Sequence, residues 1–536
     1  MSVTVKRHVY SNGLNVEYIY SGSGNIPKQE LNCTPDQSIC VTIKGDFDKL
    51  EDGCFSNPNL RSVVLDGGSY KHIGSGCFKS RLLSCVALPE TLESIGHDNF
   101  NGKLSSIFIP GFIKNLPADN FRECDDLFSI EVSADNEAYC SLDGILYTKD
   151  LTAVVFCPNN RTQPVVLPET VKHIGEYCFY RCKSLKKILI PSSVETIGDY
   201  AFAHCEIESI TVPSSVKNIG VGAFADCTVD FLTIPDSVTS IGRGCFKCAS
   251  ISRTLRLPKY LVSIPDFAFD GMKAAEINGS FNAVTHVGDR GFAFMNYNLT
   301  FIRHPRMSFN SLQQVGSSAF SYYNNTKVFE FYSCLKTIGF SAFSGSRYDV
   351  KIRYFSMCPI RLDSHAFRDL PAKATLVVPP GTKMIFERAT PWSLFNNIEE
   401  MSIDKDGIDA EDTEVSRHNY VERLKSIVNS TFNYDGEYLR DILKELGQNF
   451  INVESDMEYE QACSLLRYNR LFTPAIIPGL DLLLVKTWTQ KYRLRYLNEL
   501  LAAGIPVSEL FMQDLNDHSL STDTAPLLLS VAIENK

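Results

Sequence analysis

Apolar residues recur along most of the chain at a nearly constant spacing, and one phenylalanine in each period makes the spacing easy to follow. Ten of the twelve intervals between these phenylalanines are 21 to 24 residues long. They are Phe55, Phe78, Phe100, Phe121, Phe179, Phe202, Phe224, Phe246, Phe269, Phe292, Phe320, Phe343 and Phe367. Such a period indicates one short unit stacked many times, each unit burying its apolar face against its neighbours. The pattern predicts a repeat architecture that binds through an extended surface.

Within each period, the order of residue types predicts a short strand, a bend and a closing turn. In one well-preserved period, Ile188 and Ile190 alternate with polar positions, which places both side chains on one face of a strand. Pro191 ends that strand because proline has no N–H. Gly198 permits a backbone turn, and Phe202 follows in a segment expected to form a partial helical turn. This order is typical of leucine-rich repeats.

The repeat resembles one particular class. Residues 165–248 carry the string I-x-[IV]-P-x-S-V-x-x-I-G-x-x-A-F-x-x-C, which is similar to the BspA-like (Treponema-type) leucine-rich repeat. A looser form of the pattern extends over residues 40–380. The resemblance implies an α/β repeat that winds into a right-handed solenoid with a parallel β ladder. Proteins of this class often act as adhesins.

The pattern divides the chain into four parts. We predict an N-terminal cap segment (1–39), a leucine-rich-repeat solenoid (40–397), an acidic linker (398–414) and a small α-helical C-terminal domain (415–536). A hairpin insert is predicted near 133–164, where two apolar runs flank residues 148–152. BspA-like arrays commonly carry a similar insert.

The C-terminal part changes to a helical period. Leu439, Ile442, Leu443 and Leu446 follow the i, i+3, i+4, i+7 spacing of an amphipathic helix. Residues 500–507 and 525–532 are similar to pieces of ankyrin repeats. A degenerate ankyrin-like unit and a plain helical bundle are therefore both open interpretations.

Charge is distributed unevenly between these parts. The whole chain has a net charge of −10, and the residues from Glu399 onward contain 24 acidic and 13 basic side chains. The preceding part is almost neutral, so there is no broad basic field of the kind that binds nucleic acid. No apolar stretch approaches the ~20 residues that span a bilayer, so we expect no membrane insertion. No pattern specifies an oligomeric state.

The N-terminal residues lack the apolar core of a signal peptide. We therefore expect a cytoplasmic protein, with the cell surface, reached by leaderless export, as the alternative. Seventeen cysteines are present, and several recur at one repeat position, among them Cys182, Cys205 and Cys227. We expect them to form a buried column of reduced thiols, with some disulfides as the alternative.

Candidate chemistry is sparse. Cys245 and Cys248 form a lone pair at metal-like spacing, but no second pair follows, so no metal site is predicted. No phosphate loop, nucleophile elbow or catalytic constellation is present. We therefore predict a non-enzymatic, cofactor-free scaffold that binds a protein partner through the concave strand face of the solenoid. The alternative is a surface or secreted adhesin that binds host matrix or neighbouring cells.

Strand alternation selects the residues of that face. Side chains two and four positions before each strand-ending proline should point away from the core. They are Ser106, Phe108, Lys187, Leu189, Ser209, Thr211, Phe231, Thr233, Thr254 and Arg256. Phe108, Leu189 and Phe231 are the large apolar members and the candidate anchors for a partner. Alternatively, the inserted hairpin or a terminal segment covers these side chains.

Overall fold

The computed structural model describes residues 3–295, 306–323, 328–332, 334–345, 350–356, 359–378 and 382–400. The predicted C-terminal helical domain and the linker beyond Glu400 lie outside the described residues. The described chain forms two compact units. The first contains residues 3–261 and 267–279, and the second contains residues 262–266, 280–295 and the described residues from 306 to 400.

The first unit begins with nine strands, the first three of which are antiparallel or parallel neighbours and the later ones mostly short. They are β1 (Thr4–Val9), β2 (Asn15–Ile26), β3 (Ser38–Leu50), β4 (Leu60–Asp66), β5 (Tyr70–Ile73), β6 (Cys85–Ala87), β7 (Ser94–Ile95), β8 (Ser106–Ile109) and β9 (Ser129–Val132). Strand β1 pairs antiparallel with β2, and β2 pairs parallel with β3. One half of β3 pairs with β4 and the other half with β5. Strand β3 therefore divides the sheet into two parallel ladders.

An antiparallel meander interrupts the repeats. It consists of β10 (Tyr139–Leu142), β11 (Ile145–Thr148) and β12 (Ala153–Phe156). Asp143 and Gly144 connect β10 to β11, and both have positive φ (52° and 74°). A two-residue turn with two positive φ angles matches the right-handed twist of the strands on either side. Strand β12 then pairs parallel with β14 of the following repeat.

After the meander, long and short strands alternate regularly. They are β13 (Val165–Val166), β14 (His173–Ile174), β15 (Ile188–Leu189), β16 (Thr196–Ile197), β17 (Glu206–Thr211), β18 (Asn218–Ile219), β19 (Thr228–Thr233), β20 (Ser240–Ile241), β21 (Ser250–Arg256), β22 (Ser263–Ile264) and β23 (Lys273–Asn278). Strands β17, β19, β21 and β23 form a parallel sheet, which we call the long ladder of this unit. Strands β14, β16, β18 and β20 continue the sheet of the meander as a short ladder.

The second unit repeats this arrangement. Its further elements are β24 (His286–Val287), β25 (Arg306–Phe309), β26 (Gln314–Val315), β27 (Val328–Tyr332), β28 (Thr337–Ile338), β29 (Lys351–Phe355), β30 (Thr375–Val378), helix α1 (Lys383–Arg388) and β31 (Asn397–Glu400). Its long ladder has the strand order β25-β27-β29-β30-β31. Its short ladder has the order β22-β24-β26-β28.

The repeat phenylalanines form the centre of both units, and all thirteen are buried. In the first unit, the ring of Phe202 stacks on Phe179 and Phe224, with centroid distances of 5.0 and 5.4 Å. In the second unit, Phe292 and Phe320 stack at 5.4 Å. In these runs, the ring of one coil packs on the ring of the next. The predicted burial of the repeat phenylalanines is confirmed.

The partial helical turn predicted for the segment carrying the repeat phenylalanine is wrong for the repeat of Phe202, whereas Ala118–Asn120 form a 3-10 turn directly before Phe121. The segment carrying Phe202 is a turn, because Tyr200 and His204 have φ angles of 51° and 58°. A right-handed helical turn cannot continue through left-handed residues. The backbone N–H of Phe202 donates instead to the carbonyl of Ala223 in the next coil, at 2.7 Å. The architecture is a parallel-strand β-solenoid, and its right-handed winding stays a prediction.

Candidate partner-binding face

The long ladder has one buried and one exposed side. In β19, Val229 and Leu232 point into the core, whereas the side chain of Phe231 is 45 % exposed. Eight of the ten residues that the sequence selects are exposed, and Thr233 and Thr254 are half-buried. All ten therefore lie outside the core.

Eight of these residues lie on consecutive strands. A bridge between Lys187 and Ser209 links β15 to β17, and the row continues through Phe231 and Thr254. A second row joins Thr211, Thr233 and Arg256. Leu189 ends β15 and is 65 % exposed. We call the following set the outer strand face: Lys187, Leu189, Ser209, Thr211, Phe231, Thr233, Thr254 and Arg256.

The remaining two predicted residues lie elsewhere in the first unit. Ser106 and Phe108 are part of β8, which pairs with β9 in a separate two-stranded sheet. Phe108 is exposed and stands opposite Glu131. The structure therefore does not place Ser106 and Phe108 in the sheet that carries Phe231.

Arg253 is a residue of this surface that sequence reasoning missed. In β21, two residues separate Ile251 from Thr254, whereas one residue separates their partners Val229 and Phe231 in β19. This bulge places the guanidinium of Arg253 5.4 Å from the centre of the Phe231 ring, within cation–π range. The sequence does carry a signal of this bulge. The repeat is one residue longer than the two before it, and two polar residues, Ser252 and Arg253, stand where those repeats have one.

The electrostatics of the outer strand face are mixed. Lys187 and Arg256 are basic, and the guanidinium of Arg256 lies 3.9 Å from a carboxylate oxygen of Asp236. Both partners of this ion pair are partly exposed, so solvent screens the attraction and the pair contributes little. Glu208 is an exposed carboxylate on β17. The face thus presents two apolar side chains among hydroxyl groups and two basic side chains, with the carboxylates of Glu208 and Asp236 beside it.

The buried cysteines of the repeats are unsuited to nucleophilic chemistry. Every cysteine that the structure describes is free, and Cys182, Cys205 and Cys227 are buried, as predicted. Burial, together with a hydrogen bond to the thiol of Cys227, raises the pKa of Cys205 well above its ordinary value. Burial also raises the pKa of Cys77 to about 11. A catalytic cysteine needs a lowered pKa, because the thiolate is the nucleophile.

Two further features bear on the kind of site present. Within the described ranges, no group of three or more histidine, cysteine or acidic side chains is arranged to hold a metal ion. The described part of the chain also contains no helix long and apolar enough to cross a membrane.

Comparison with solved structures finds bacterial leucine-rich-repeat proteins. One from Eubacterium ventriosum is 20 % identical, with a TM-score of 0.43, and the match covers 65 % of this chain and 94 % of that one. One from Bacteroides ovatus is 18 % identical, with a TM-score of 0.39 and coverages of 70 % and 98 %. The pneumococcal vaccine antigen PcpA is 17 % identical, with a TM-score of 0.40 and coverages of 75 % and 97 %.

A search of curated proteins gave no match. The family model described as the BspA type leucine rich repeat region matches residues 32–142, 149–274, 217–348 and 290–405. These ranges together cover more than half of the chain, and they include the strands from β4 to β31 apart from β11. The chain belongs to the BspA-type leucine-rich-repeat family.

Proposed function

We propose that this protein is a non-enzymatic scaffold that binds a protein partner through the outer strand face. The observation that carries the proposal is the exposure of Leu189 and Phe231, at 65 % and 45 %, on strands whose other side is fully packed. Large apolar side chains exposed among polar neighbours are typical of interaction sites. Membership of a leucine-rich-repeat family supports a binding role, because stacked repeats create extended surfaces.

In this proposal, Phe231 inserts into an apolar recess of the partner. Arg253 covers one part of the Phe231 ring and restricts its movement, so little side-chain entropy is lost on binding. The hydroxyl groups of Thr211 and Thr233 offer hydrogen bonds beside the anchor. Hydrogen bonds between the strands of the long ladder hold these side chains in position before the partner binds.

The test is quantitative capture from the native cells. The tagged full chain is compared with a double variant, Phe231→Ala with Arg256→Ala, and with a matched control, Tyr260→Ala with Lys217→Ala. The control removes an exposed aromatic and an exposed basic side chain from the bends between the ladders. We expect the face variant to lose one or more captured proteins that the control retains. Equal capture by both variants would show that the outer strand face is the wrong surface.

The second candidate function is adhesion at the cell surface. We propose the cytoplasm instead, because the described cysteines are free and mostly buried, which suits a reducing compartment. Fractionation of the native cells, with protease treatment of intact cells, distinguishes the two locations. Chain that is cleaved on intact cells supports the adhesin, whereas chain that is protected until lysis supports the scaffold.

A further inference from the structure

The long ladder of the second unit carries a set of outward-pointing side chains that are nevertheless buried. In β27, Phe329 and Phe331 pack into the core against Phe320, so Glu330 and Tyr332 point to the opposite side. By the same alternation, Arg353, Phe355 and Val377 are the fully buried outward side chains of β29 and β30, whereas Lys351 and Thr375 at the strand starts are half-buried. We call the five residues Glu330, Tyr332, Arg353, Phe355 and Val377 the covered face. Glu330 is 1 % exposed, Arg353 2 % and Phe355 4 %.

Neighbours within the ladder do not account for this burial. The guanidinium of Arg353 lies 5.5 Å from the ring centre of Phe355, almost the same separation as between Arg253 and Phe231. Phe231 is nevertheless 45 % exposed, against 4 % for Phe355. Phe355 also stacks on Tyr332 at 4.8 Å, but this ring lies beside it in the same sheet. A layer above the strands is needed to exclude water.

The covered face also contains a buried ion pair. A guanidinium nitrogen of Arg353 donates to a carboxylate oxygen of Glu330 at 3.2 Å, and the hydroxyl of Ser308 donates to the other oxygen. Burying two charges has a large desolvation cost, which pairing and hydrogen bonds offset only in part. On a bare strand surface both groups would be hydrated. Their burial therefore indicates that a specific packed surface lies over them.

The limits of the covered face define the width of that layer. On the strand preceding β27, Ser308 is half-buried, and on the last strand Glu399 is exposed. The fully buried set spans β27, β29 and β30. Adjacent strands lie about 4.8 Å apart, so three strands extend over about 10 Å. A helix with its side chains is about 10–12 Å in diameter, so one helix laid along the strands matches this width.

We propose that the covered face is the docking site of this chain's own C-terminal segment, residues 401–536. Strand β31 ends at Glu400 and pairs with β30, so the segment begins at the edge of the covered face. The sequence between Leu439 and Leu446 predicts an amphipathic helix whose apolar side suits Tyr332, Phe355 and Val377. The second unit thereby binds an intramolecular partner on the same kind of surface that the first unit leaves open.

The test is photo-cross-linking within the full-length chain. Phe355→p-benzoylphenylalanine keeps an aromatic side chain on the covered face, and the same substitution at Phe231 is the matched control. We expect position 355 to give cross-linked peptides from residues 401–536 within a single chain, and position 231 to give several-fold fewer. Cross-links from 355 only to residues before 401, or none, would overturn the proposal. In a mixture of isotopically heavy and light chains, heavy–light pairs would also overturn it by assigning the site to a second copy.

A cleavage experiment provides an independent readout. A site for a specific protease is inserted after Glu414 of the full chain, and the cut protein is examined by size-exclusion chromatography. The two pieces should elute together, and Phe355→Asp with Val377→Asp should separate them, whereas Phe231→Asp should not. If the two pieces of the cut chain elute separately even without these substitutions, the proposal is overturned.

Discussion

Phe202 and Phe231 lie two repeats apart in the first unit, and their surroundings give them different roles. The ring of Phe202 is enclosed between two other phenylalanine rings and is inaccessible to solvent. The ring of Phe231 has contact with the guanidinium of Arg253 and with solvent. Position within the repeat, rather than residue type, therefore decides whether a phenylalanine contributes to stability or is available for binding.

Phe202→Ala should reduce the free energy of unfolding by about 3–5 kcal/mol, because the missing ring leaves a cavity between two neighbouring coils. Phe231→Ala should change it by less than about 1 kcal/mol, because its ring is already partly hydrated. Chemical denaturation followed by circular dichroism measures both. Equal losses for the two variants would contradict the stacked core.

The buried cysteines should be unreactive in the native chain. Because burial raises the pKa of Cys77 to about 11, the thiolate is a small fraction at pH 8 and increases only as the pH rises toward that value. A colourimetric thiol reagent should therefore titrate all seventeen cysteines in denaturant without reductant but only a minority in the native chain. Recovery of far fewer than seventeen thiols in denaturant would indicate disulfides.

At the scale of the element, close backbone approach determines where each coil bends. A Cβ atom added to Gly220 would lie 2.6 Å from the backbone nitrogen of Asp199 in the preceding coil. The corresponding atom on Gly111 would have its nearest neighbour at 3.5 Å, which is ordinary contact. The two glycines therefore differ in the space available to a side chain.

Gly220→Ala should consequently destabilise the protein by about 1–3 kcal/mol, because the coils must separate to admit the methyl group. Gly111→Ala should be nearly neutral. Thermal unfolding of the two variants beside the unmodified chain gives the comparison. An unchanged melting temperature for Gly220→Ala would contradict the coil spacing described above.

Some elements could be predicted from the sequence and others could not. Proline and the apolar alternation place the repeat strands correctly, because both act locally on the backbone. The turn around Phe202 was predicted as partly helical, because Tyr200 and His204 carry no sign in the sequence of their left-handed conformation. The turn at Asp143 and Gly144 was missed although Asp-Gly is a strong hairpin signal.

At the scale of the whole molecule, the two long ladders present different surfaces. Alternation predicts which side chains point outward, as for Phe231, but it cannot predict whether another part of the chain covers them. Phe355 points outward and is buried. Contacts between distant parts of a sequence leave no local pattern, so the outer strand face could be predicted from the sequence and the covered face could not.

The most direct test of the account measures the affinity of the purified full-length chain for its captured partner by calorimetry. Phe231→Ala should weaken binding at least about tenfold, equivalent to about 1.4 kcal/mol. Tyr260→Ala, which removes an exposed ring away from the outer strand face, should leave the affinity unchanged. An unchanged affinity for Phe231→Ala, or a loss confined to Tyr260→Ala, would contradict binding through the outer strand face.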